Sequence, residues 1–198
     1  MRSLKSILGL TALACALQAA AVSIEVRDEG DRPLAGAVVF LESAQARRQV
    51  RPLAQAEMGQ AGKQFVPQVL VVPVGTAVDF PNRDTVRHHV YSFSPAKKFE
   101  LKLYIGTPAN PVVFDRSGIA VLGCNIHDQM VGWIVVVETP YYAMSDAQGR
   151  AVIDAPPGSY RLRSWHPGLP VGAAALDQAM ELGPAIQSVR LRLSGVRP

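Results

Sequence analysis

Three side chains with metal-ligand chemistry lie close together in the second half of the chain. Cys124, His127 and Met130 are separated by intervals of three residues. The strand-like run 119–123 comes just before them and the apolar run 133–137 just after, so they occupy a short loop between two predicted strands. Such a loop can fold a thiol, an imidazole and a thioether around one point. Donors of this kind indicate a site for a soft or borderline metal ion.

A second source of imidazole lies upstream, where His88 and His89 follow the strand predicted at 77–80. Adjacent residues of a regular strand point to opposite faces, so one histidine of the pair is expected to reach the ion. His88 is the preferred ligand, and His89 in its place is the alternative. The four-donor site then has contributions from two separate strands.

The elements that position these side chains have the sequence pattern of β-strands. Short runs of alternating apolar residues recur between glycine- and proline-containing turns, which is typical of strands. One helix is predicted, at 173–182, where Leu176 and Met180 would form an apolar face between Gly172 and Gly183. The sequence therefore predicts an all-β protein. Its predicted strands are 22–27, 37–41, 68–72, 77–80, 89–93, 112–114, 119–123 and 133–137.

The motifs resemble those of the cupredoxins, the blue-copper family. The Cys-x2-His-x2-Met segment at 124–130 resembles the short ligand loop of the amicyanin type. The segment Asn-Arg-x4-His-x-Val, which starts at Asn82, resembles the segment that supplies the family's first histidine. The stretch 65–80 resembles the usual strand pair, joined here at Gly75. This resemblance covers roughly 54–138 and implies a Greek-key β-sandwich.

The resemblance also implies a ligand set of His88, Cys124, His127 and Met130 around one copper ion per chain. A thiolate, two imidazoles and a long axial thioether suit both oxidation states of copper. His89 stands where many cupredoxins have an asparagine that ties the two ligand loops together, so the hydrogen bonding near the Cys124 sulfur is expected to differ.

The segments on either side of the central block resemble two parts of another small β-sandwich, the carboxypeptidase-regulatory-like or transthyretin-like module. They are 22–41 and 145–162. The resemblance implies a smaller sandwich made from residues 22–45 and 140–198, with the cupredoxin block 54–138 inserted between them. In the alternative that stays open, the first segment pairs with the central block.

Residues 1–21 are interpreted as a secretory signal peptide. A basic start is followed by an apolar run at 7–17, and Ala19 and Ala21 are placed for cleavage, so that the exported chain begins at Val22. The apolar run is shorter than the roughly 20 residues needed to span a bilayer. We therefore expect a periplasmic protein without an integral membrane span.

Export leaves Cys124 as the lone cysteine, because Cys15 belongs to the signal. Leu-Ala-Cys at 13–15 leaves a lipoprotein as the alternative. With Arg2 and Lys5 removed, 18 basic residues remain against 16 acidic ones, a net charge of +2. The basic residues are scattered, which excludes the usual signature of nucleic-acid binding.

An exported cupredoxin implies one-electron transfer with a redox partner protein. The predicted docking patch combines the edge of His127 with Val131, Gly132 and the loop around Met130. The wider chain also resembles exported proteins of the methylamine-utilisation-like type. Two rival functions remain: an enzyme with Cys124 as nucleophile and His127 as its base, and a copper-delivery or partner-binding module.

Four other side chains are predicted to have structural roles. His166 lies outside the cupredoxin resemblance, and Trp133 is expected to pack in the core rather than relay electrons. Tyr141 and Tyr142 follow the junction prolines and are expected to pack the two β units together.

Overall fold

The computed structural model describes residues 20–185 and 187–197, whose regular structure is almost all β-strand. The described part contains one helix, α1 (Ala44–Gln49), which begins after Ser43, whose hydroxyl accepts a hydrogen bond from the Ala46 N–H at 3.0 Å. The prediction of an all-β protein is confirmed. The strands are β1 (Ala20–Arg27), β2 (Val38–Glu42), β3 (Gly59–Ala61), β4 (Gln64–Val66), β5 (Val69–Pro73), β6 (Thr76–Val78), β7 (His88–Ser94), β8 (Lys97–Tyr104), β9 (Val112–Phe114), β10 (Gly118–Gly123), β11 (Val131–Val137), β12 (Tyr142–Met144), β13 (Arg150–Ala155), β14 (Gly158–Trp165), β15 (Leu176–Leu182) and β16 (Gln187–Arg192).

Two sheets made from both ends of the described chain form what we name the flanking sandwich. One sheet has the strand order β13-β1-β16 and the other β12-β2-β14-β15. Strand β1 pairs antiparallel with β13 and parallel with β16, so the first strand joins the C-terminal strands and not the central block. The core between these sheets is apolar and includes Val22, Ile24, Val26, Leu41, Ile153, Leu162 and Leu193.

The strands between β2 and β12 form the central sandwich. Its main sheet has the order β5-β11-β10-β7-β8, and the strand pairs β3-β4 and β6-β9 supply the opposite wall. Strand β11 pairs antiparallel with β10 and parallel with β5. The core between these walls includes Met58, Phe65, Val72, Val78, Phe80, Val90, Phe114, Leu122 and Ile134.

A third apolar layer, the interface cluster, joins the two sandwiches. Strand β2 turns Val39 and Leu41 towards the flanking core, while Val38 and Phe40 face the central sandwich. Because such a strand is buried on both faces, its sequence is a continuous apolar run and not an alternating one. Strand β11 is buried on both faces in the same way. The buried members of the interface cluster are Val38, Phe40, Val69, Val71, Val135, Val137 and Trp165.

The helix predicted at 173–182 is wrong. Residues 176–182 form strand β15, which pairs antiparallel with β14 from Gly158 opposite Leu182 to Ser164 opposite Leu176. Met180 and Leu182 are buried two residues apart, as a strand requires, and they complete the flanking core. The sequence of 176–182 is compatible with either a helix or a strand, and pairing with β14 selects the strand.

His166 has the structural role that the sequence predicted. One ring nitrogen, Nε2, lies 3.0 Å from the carbonyl oxygen of Ala35, and Nδ1 accepts the Gly168 N–H at 3.0 Å. Both contacts are made when Nε2 carries the proton and Nδ1 does not. Burial lowers the pKa of His166, which favours that neutral form.

The aromatic residues near the junction pack as structural groups. Trp133 contacts the interface cluster, with its ring centroid 6.2 Å from that of Trp165, so the prediction of a packing role is confirmed. Tyr142 also packs against the interface cluster. Tyr141 belongs instead to the flanking core, where it meets Tyr160 edge to face at 6.1 Å. Of the two tyrosines, Tyr142 is thus the one that packs between the units.

Residues 1–19, which include most of the predicted signal and Cys15, lie outside the described residues. Strand β1 begins at Ala20, two residues before the predicted start of the exported chain. Among the described residues, we find no helix with the length and apolar character needed to span a membrane.

Candidate metal centre

A tight hairpin loop holds Cys124, His127 and Met130. Strands β10 and β11 pair up to Gly123 opposite Val131, so the loop between them is closed at its base. Within the loop, the Met130 N–H donates to the carbonyl oxygen of His127 at 2.8 Å. The loop backbone therefore turns back on itself and brings Cys124 and His127 to the same side of the loop.

The first histidine comes from the neighbouring strand. Strand β7 begins at His88 and pairs with β10 through Tyr91 and Gly123, which places the start of β7 beside the ligand loop. His88 Nδ1 lies 4.0 Å from the Cys124 sulfur, and His127 Nδ1 lies 3.8 Å from it. One potential ligand atom from each of these three residues lies within 4.8 Å of the others. The structure thus brings together three of the four predicted ligands.

Burial differs among the four predicted ligands. His88 is fully buried, Cys124 is 3% exposed and Met130 is 1% exposed. Met130 belongs to the same apolar cluster as Cys124, at the end of the ligand loop. His127 is only partly buried. His127 is therefore the most exposed of the four predicted ligands.

His89 is directed away from the three-residue group. Its Nε2 lies 3.0 Å from the Glu100 carboxylate, although the atoms are not aligned for a hydrogen bond, and its ring meets Tyr91 edge to face at 5.7 Å. The pairing of β7 with β8 is irregular between His88 and Val90, yet the two histidines still face different neighbours. The geometry favours His88 as the ligand.

Asp84, which the sequence interpretation missed, contacts the first histidine. Its Oδ2 lies 2.8 Å from His88 Nε2, on the side of the ring opposite Cys124. The backbone N–H of Lys63 and the His88 ring lower the pKa of Asp84. An ionised carboxylate only accepts hydrogen bonds, so Nε2 is the donor, and in the neutral imidazole Nδ1 then keeps a free lone pair. Asp84 thus orients the imidazole and selects the tautomer that can bind a metal.

The hairpin turn between β3 and β4 holds Asp84 in place. Gly62 and Lys63 both have positive φ, at 60° and 58°, as the tight primed turn of a hairpin requires. Their N–H groups donate to the two oxygens of Asp84 at 2.7 and 2.9 Å. The strained backbone of Lys63 is therefore part of the support behind His88.

Asn82 fixes the loop that carries Asp84. Its side-chain amide donates to the carbonyl oxygens of Val86 and Tyr104, and its Oδ1 accepts the Asp84 N–H at 3.0 Å. The sequence motif contained Asn82 but gave it no separate role. The signal that was available is the spacing of Asp84 four residues before His88 in a loop after a strand.

Replacing Asp84 with alanine is expected to weaken copper binding by about 10- to 100-fold, because the imidazole loses its orienting acceptor. Affinity is measured by competition with a chelator, and the thermal unfolding of the metal-free variant shows whether the fold persists. Asp84→Asn keeps one acceptor oxygen and is expected to have intermediate affinity.

Asp128→Ala is the matched control for Asp84→Ala. Asp128 is exposed in the ligand loop and makes no hydrogen bond or ion pair with any described residue. Its removal takes away the same charge from the same neighbourhood without touching a ligand. Equal losses of copper affinity in the two alanine variants would show that Asp84 acts through its charge and not by orienting His88.

The donor set fits a copper ion. Metal–sulfur and metal–nitrogen bonds are roughly 2.3 and 2.0 Å, as at zinc, so donors less than about 4.3 Å apart can both reach one ion. Both separations between the Cys124 sulfur and a histidine Nδ1 meet this condition. One thiolate and two imidazoles are the strong ligands of copper electron-transfer sites, whose usual weak axial ligand is a thioether.

The β-sandwich with a His-Cys-His group at the ends of neighbouring strands is the cupredoxin-like arrangement that the sequence motifs predicted. No protein-family model matches the chain, and no curated protein matches it.

Three solved structures illustrate what the chain is similar to. A purple cupredoxin from Nitrosopumilus maritimus is 25% identical, with a TM-score of 0.37 over 43% of this chain and 100% of that one. An oxidised amicyanin variant is 19% identical, with a TM-score of 0.39 over 50% of this chain and 98% of that one. A copper-containing nitrite reductase from Thermus scotoductus is 23% identical, with a TM-score of 0.40 over 57% of this chain and 28% of the reductase. These similarities are distant, so the choice of metal rests on the donor atoms described above.

The predicted docking patch needs correction. Gly132 is buried, and a side chain there would meet the Phe65 ring at under 3 Å. Met130 itself is buried as well, whereas the loop around it is exposed at Asn125, Ile126, Asp128 and Gln129. Large apolar residues are exposed on this loop and on the segments next to His88 and its strand partner Tyr104. They are Val86, Leu103, Ile105 and Ile126.

Proposed function

We propose that this chain is a mononuclear copper protein that transfers single electrons to or from a redox partner. The observation that carries the proposal is the convergence of one donor atom each from His88, Cys124 and His127 within 4.8 Å of one another, with both Nδ1 atoms within 4.0 Å of the Cys124 sulfur. In this proposal Met130 is the axial ligand. Bound copper supplies one-electron chemistry by alternating between its two oxidation states.

The role of the chain is to hold these donors still. His88 is fixed by Asp84, and Cys124 by the paired ends of β7 and β10. Burial of the sulfur excludes water and competing ligands. A donor set that is held in one arrangement has little to rearrange when an electron arrives or leaves, which favours fast transfer.

The proposal includes export to the periplasm after cleavage of residues 1–21, in a protein of the methylamine-utilisation-like type. We divide the exported chain into a cupredoxin domain at 54–138 and a carboxypeptidase-regulatory-like sandwich made from 22–45 and 140–198. The pairing of β1 with β13 and β16 supports this division.

Cyclic voltammetry of the copper-loaded protein tests the proposal. We expect one reversible wave with one copper per chain and no loss of metal over repeated cycles. A protein that fails to retain copper, or that shows no reversible wave while retaining it, would contradict electron transfer. Release of copper on reduction would instead support the delivery module.

The burial of Cys124 counts against the rival function as a cysteine enzyme. A nucleophile must contact its substrate, and Cys124 is only 3% exposed. Equal rates of alkylation of Cys124 in copper-loaded and metal-free protein would revive the enzyme hypothesis.

Replacing Met130 with leucine is expected to shift the visible spectrum and the reduction potential while colour is retained. Leucine keeps most of the buried volume but removes the thioether, so it tests axial ligation with little effect on packing. Met58→Leu is the matched control, since Met58 is equally buried in the same core. An unchanged Met130→Leu spectrum removes Met130 from the ligand set.

Partner docking is proposed to use the exposed apolar residues around His127. Ile126 is 48% exposed and adjoins His127 in the ligand loop. Electron self-exchange between two copies tests this surface without a known partner. We expect Ile126→Lys to slow self-exchange by about tenfold or more, because two like charges would meet at the contact.

The control for Ile126→Lys is Val152→Lys, on the outer sheet of the flanking sandwich, where Val152 is 54% exposed. It adds the same charge far from the ligand loop. Self-exchange rates are measured by NMR line broadening in mixtures of oxidised and reduced protein. Equal slowing in both variants would assign the effect to net charge and not to docking.

A further inference from the structure

A groove of about 740 Å³ lies between the two sandwiches, outside the metal centre. Its floor is the outer face of β10 and β11, including Ile119, Val121 and Val135, and its roof is the loop 171–175 before β15. The volume lies within the range of small-molecule binding sites, which are mostly apolar with few polar groups. Neither sandwich alone forms this groove, because each contributes one wall.

The groove is elongated. It extends along β10 from Gly118 to Gly123, a length of about 17 Å at the usual rise of a strand. Tyr91 lies at the end near Cys124, with its hydroxyl packed so closely over Gly123 that a side chain at position 123 would meet it at 2.8 Å. The loop containing Arg116 and Ser117 lies at the other end.

The groove has a net positive charge. Two arginines and one glutamate line it, and Arg163 already pairs with Glu42 at 3.1 Å. Arg116 has no carboxylate partner within 4 Å among the described residues, and its one hydrogen bond is a long contact of 3.5 Å to the carbonyl of Pro95. Neighbouring Asp115 is engaged by Lys97 instead. Among the described residues, the guanidinium of Arg116 is therefore an unpaired positive charge at one end of the apolar groove.

We propose that the groove binds an elongated apolar carboxylate, with its chain along β10 and its anionic group at Arg116. An apolar body matches the valine, isoleucine and aromatic lining, and the carboxylate supplies the acceptors that the guanidinium lacks. This site is separate from the copper ligands and does not depend on the proposed electron transfer.

Isothermal titration calorimetry of the copper-loaded protein with dodecanoate tests the proposal. We expect saturable binding of one molecule per chain and at least tenfold weaker binding of dodecanol, which lacks the charge. Arg116→Gln should reduce dodecanoate affinity about tenfold or more, whereas Arg190→Gln, in the outer sheet of the flanking sandwich, should leave it unchanged.

A second pair of variants tests the roof. Val171 is 78% exposed and lines the groove, so Val171→Asp should fold normally and weaken dodecanoate binding by repulsion. Val152→Asp adds the same charge on the distant outer sheet and should have no effect. Absence of saturable binding, equal affinity for dodecanol, or equal loss in Arg116→Gln and Arg190→Gln overturns the proposal. So does concentration-dependent dimerisation that Val171→Asp abolishes, which would show a second copy as the occupant.

Discussion

We expect Cys124→Ala to lose essentially all of the intense visible absorption of the copper-loaded protein. That absorption arises from the copper–thiolate bond, and Cys124 is the one free cysteine among the described residues. No other described side chain can supply a thiolate ligand to the copper ion. The measurement is the visible spectrum of Cu(II)-loaded wild-type and variant protein at equal concentration.

Two histidine variants provide the matched control for the cysteine variant. His88→Ala removes a nitrogen 4.0 Å from the sulfur and should also bleach or strongly alter the spectrum. His89→Ala removes the adjacent imidazole, which contacts Glu100 and Tyr91 instead, and should keep the colour. A coloured Cys124→Ala protein, or a bleached His89→Ala protein beside a coloured His88→Ala protein, would refute the ligand set.

Trp165→Ala is expected to lower the free energy of unfolding by about 3–5 kcal/mol, the usual cost of deleting a large buried aromatic side chain. Trp165 is buried in the interface cluster, where it packs near Trp133. Its loss leaves a cavity between the sandwiches that neighbouring strands cannot fill. Chemical denaturation of the metal-free protein measures the change without any contribution from metal binding.

Leu176→Ala is the control for the tryptophan variant. Leu176 pairs opposite Ser164, next to Trp165, but is largely exposed, so the loss should stay within about 0.5 kcal/mol. We also expect a single unfolding transition, because β2 and β11 each contribute to two apolar layers. A loss below 1 kcal/mol in Trp165→Ala, or two separate transitions, would show that the interface contributes little to stability.

The sequence predicted best those elements whose pattern is local. Strand β9 was predicted at its observed bounds, and β10 to within one residue, because alternating apolar residues between turns leave few other choices. The ligand spacing was informative for the same reason. A hairpin loop of seven residues closes on itself, so Cys124 and His127 had to meet.

Strand β8 was missed although its sequence carries the alternation that is typical of a strand. Charged residues alternate there with Phe99, Leu101 and Leu103, and the strand lies at the edge of the five-stranded sheet. Charged residues at an edge discourage pairing with other molecules. The edge position itself depends on the whole sheet and cannot be derived from one segment.

The role of Asp84 could not be predicted because it depends on a contact between distant segments. Its carboxylate is held by Gly62 and Lys63, some twenty residues earlier, before it reaches His88. The periodicity of apolar residues along the sequence gives no information about such a contact. The same limit applies to β15, whose strand conformation is decided by β14.

The shared wall between the sandwiches has a consequence for how this chain can evolve. Val69, Val71, Val135 and Val137 lie on the outer face of the central sheet and are covered by the flanking strands. If residues 54–138 were transferred to another protein by recombination, this row of valines would face water and promote aggregation. The segment that carries the proposed metal centre can therefore become an independent module only after polar substitutions on that face. The recipient would otherwise have to inherit both ends of the chain with it.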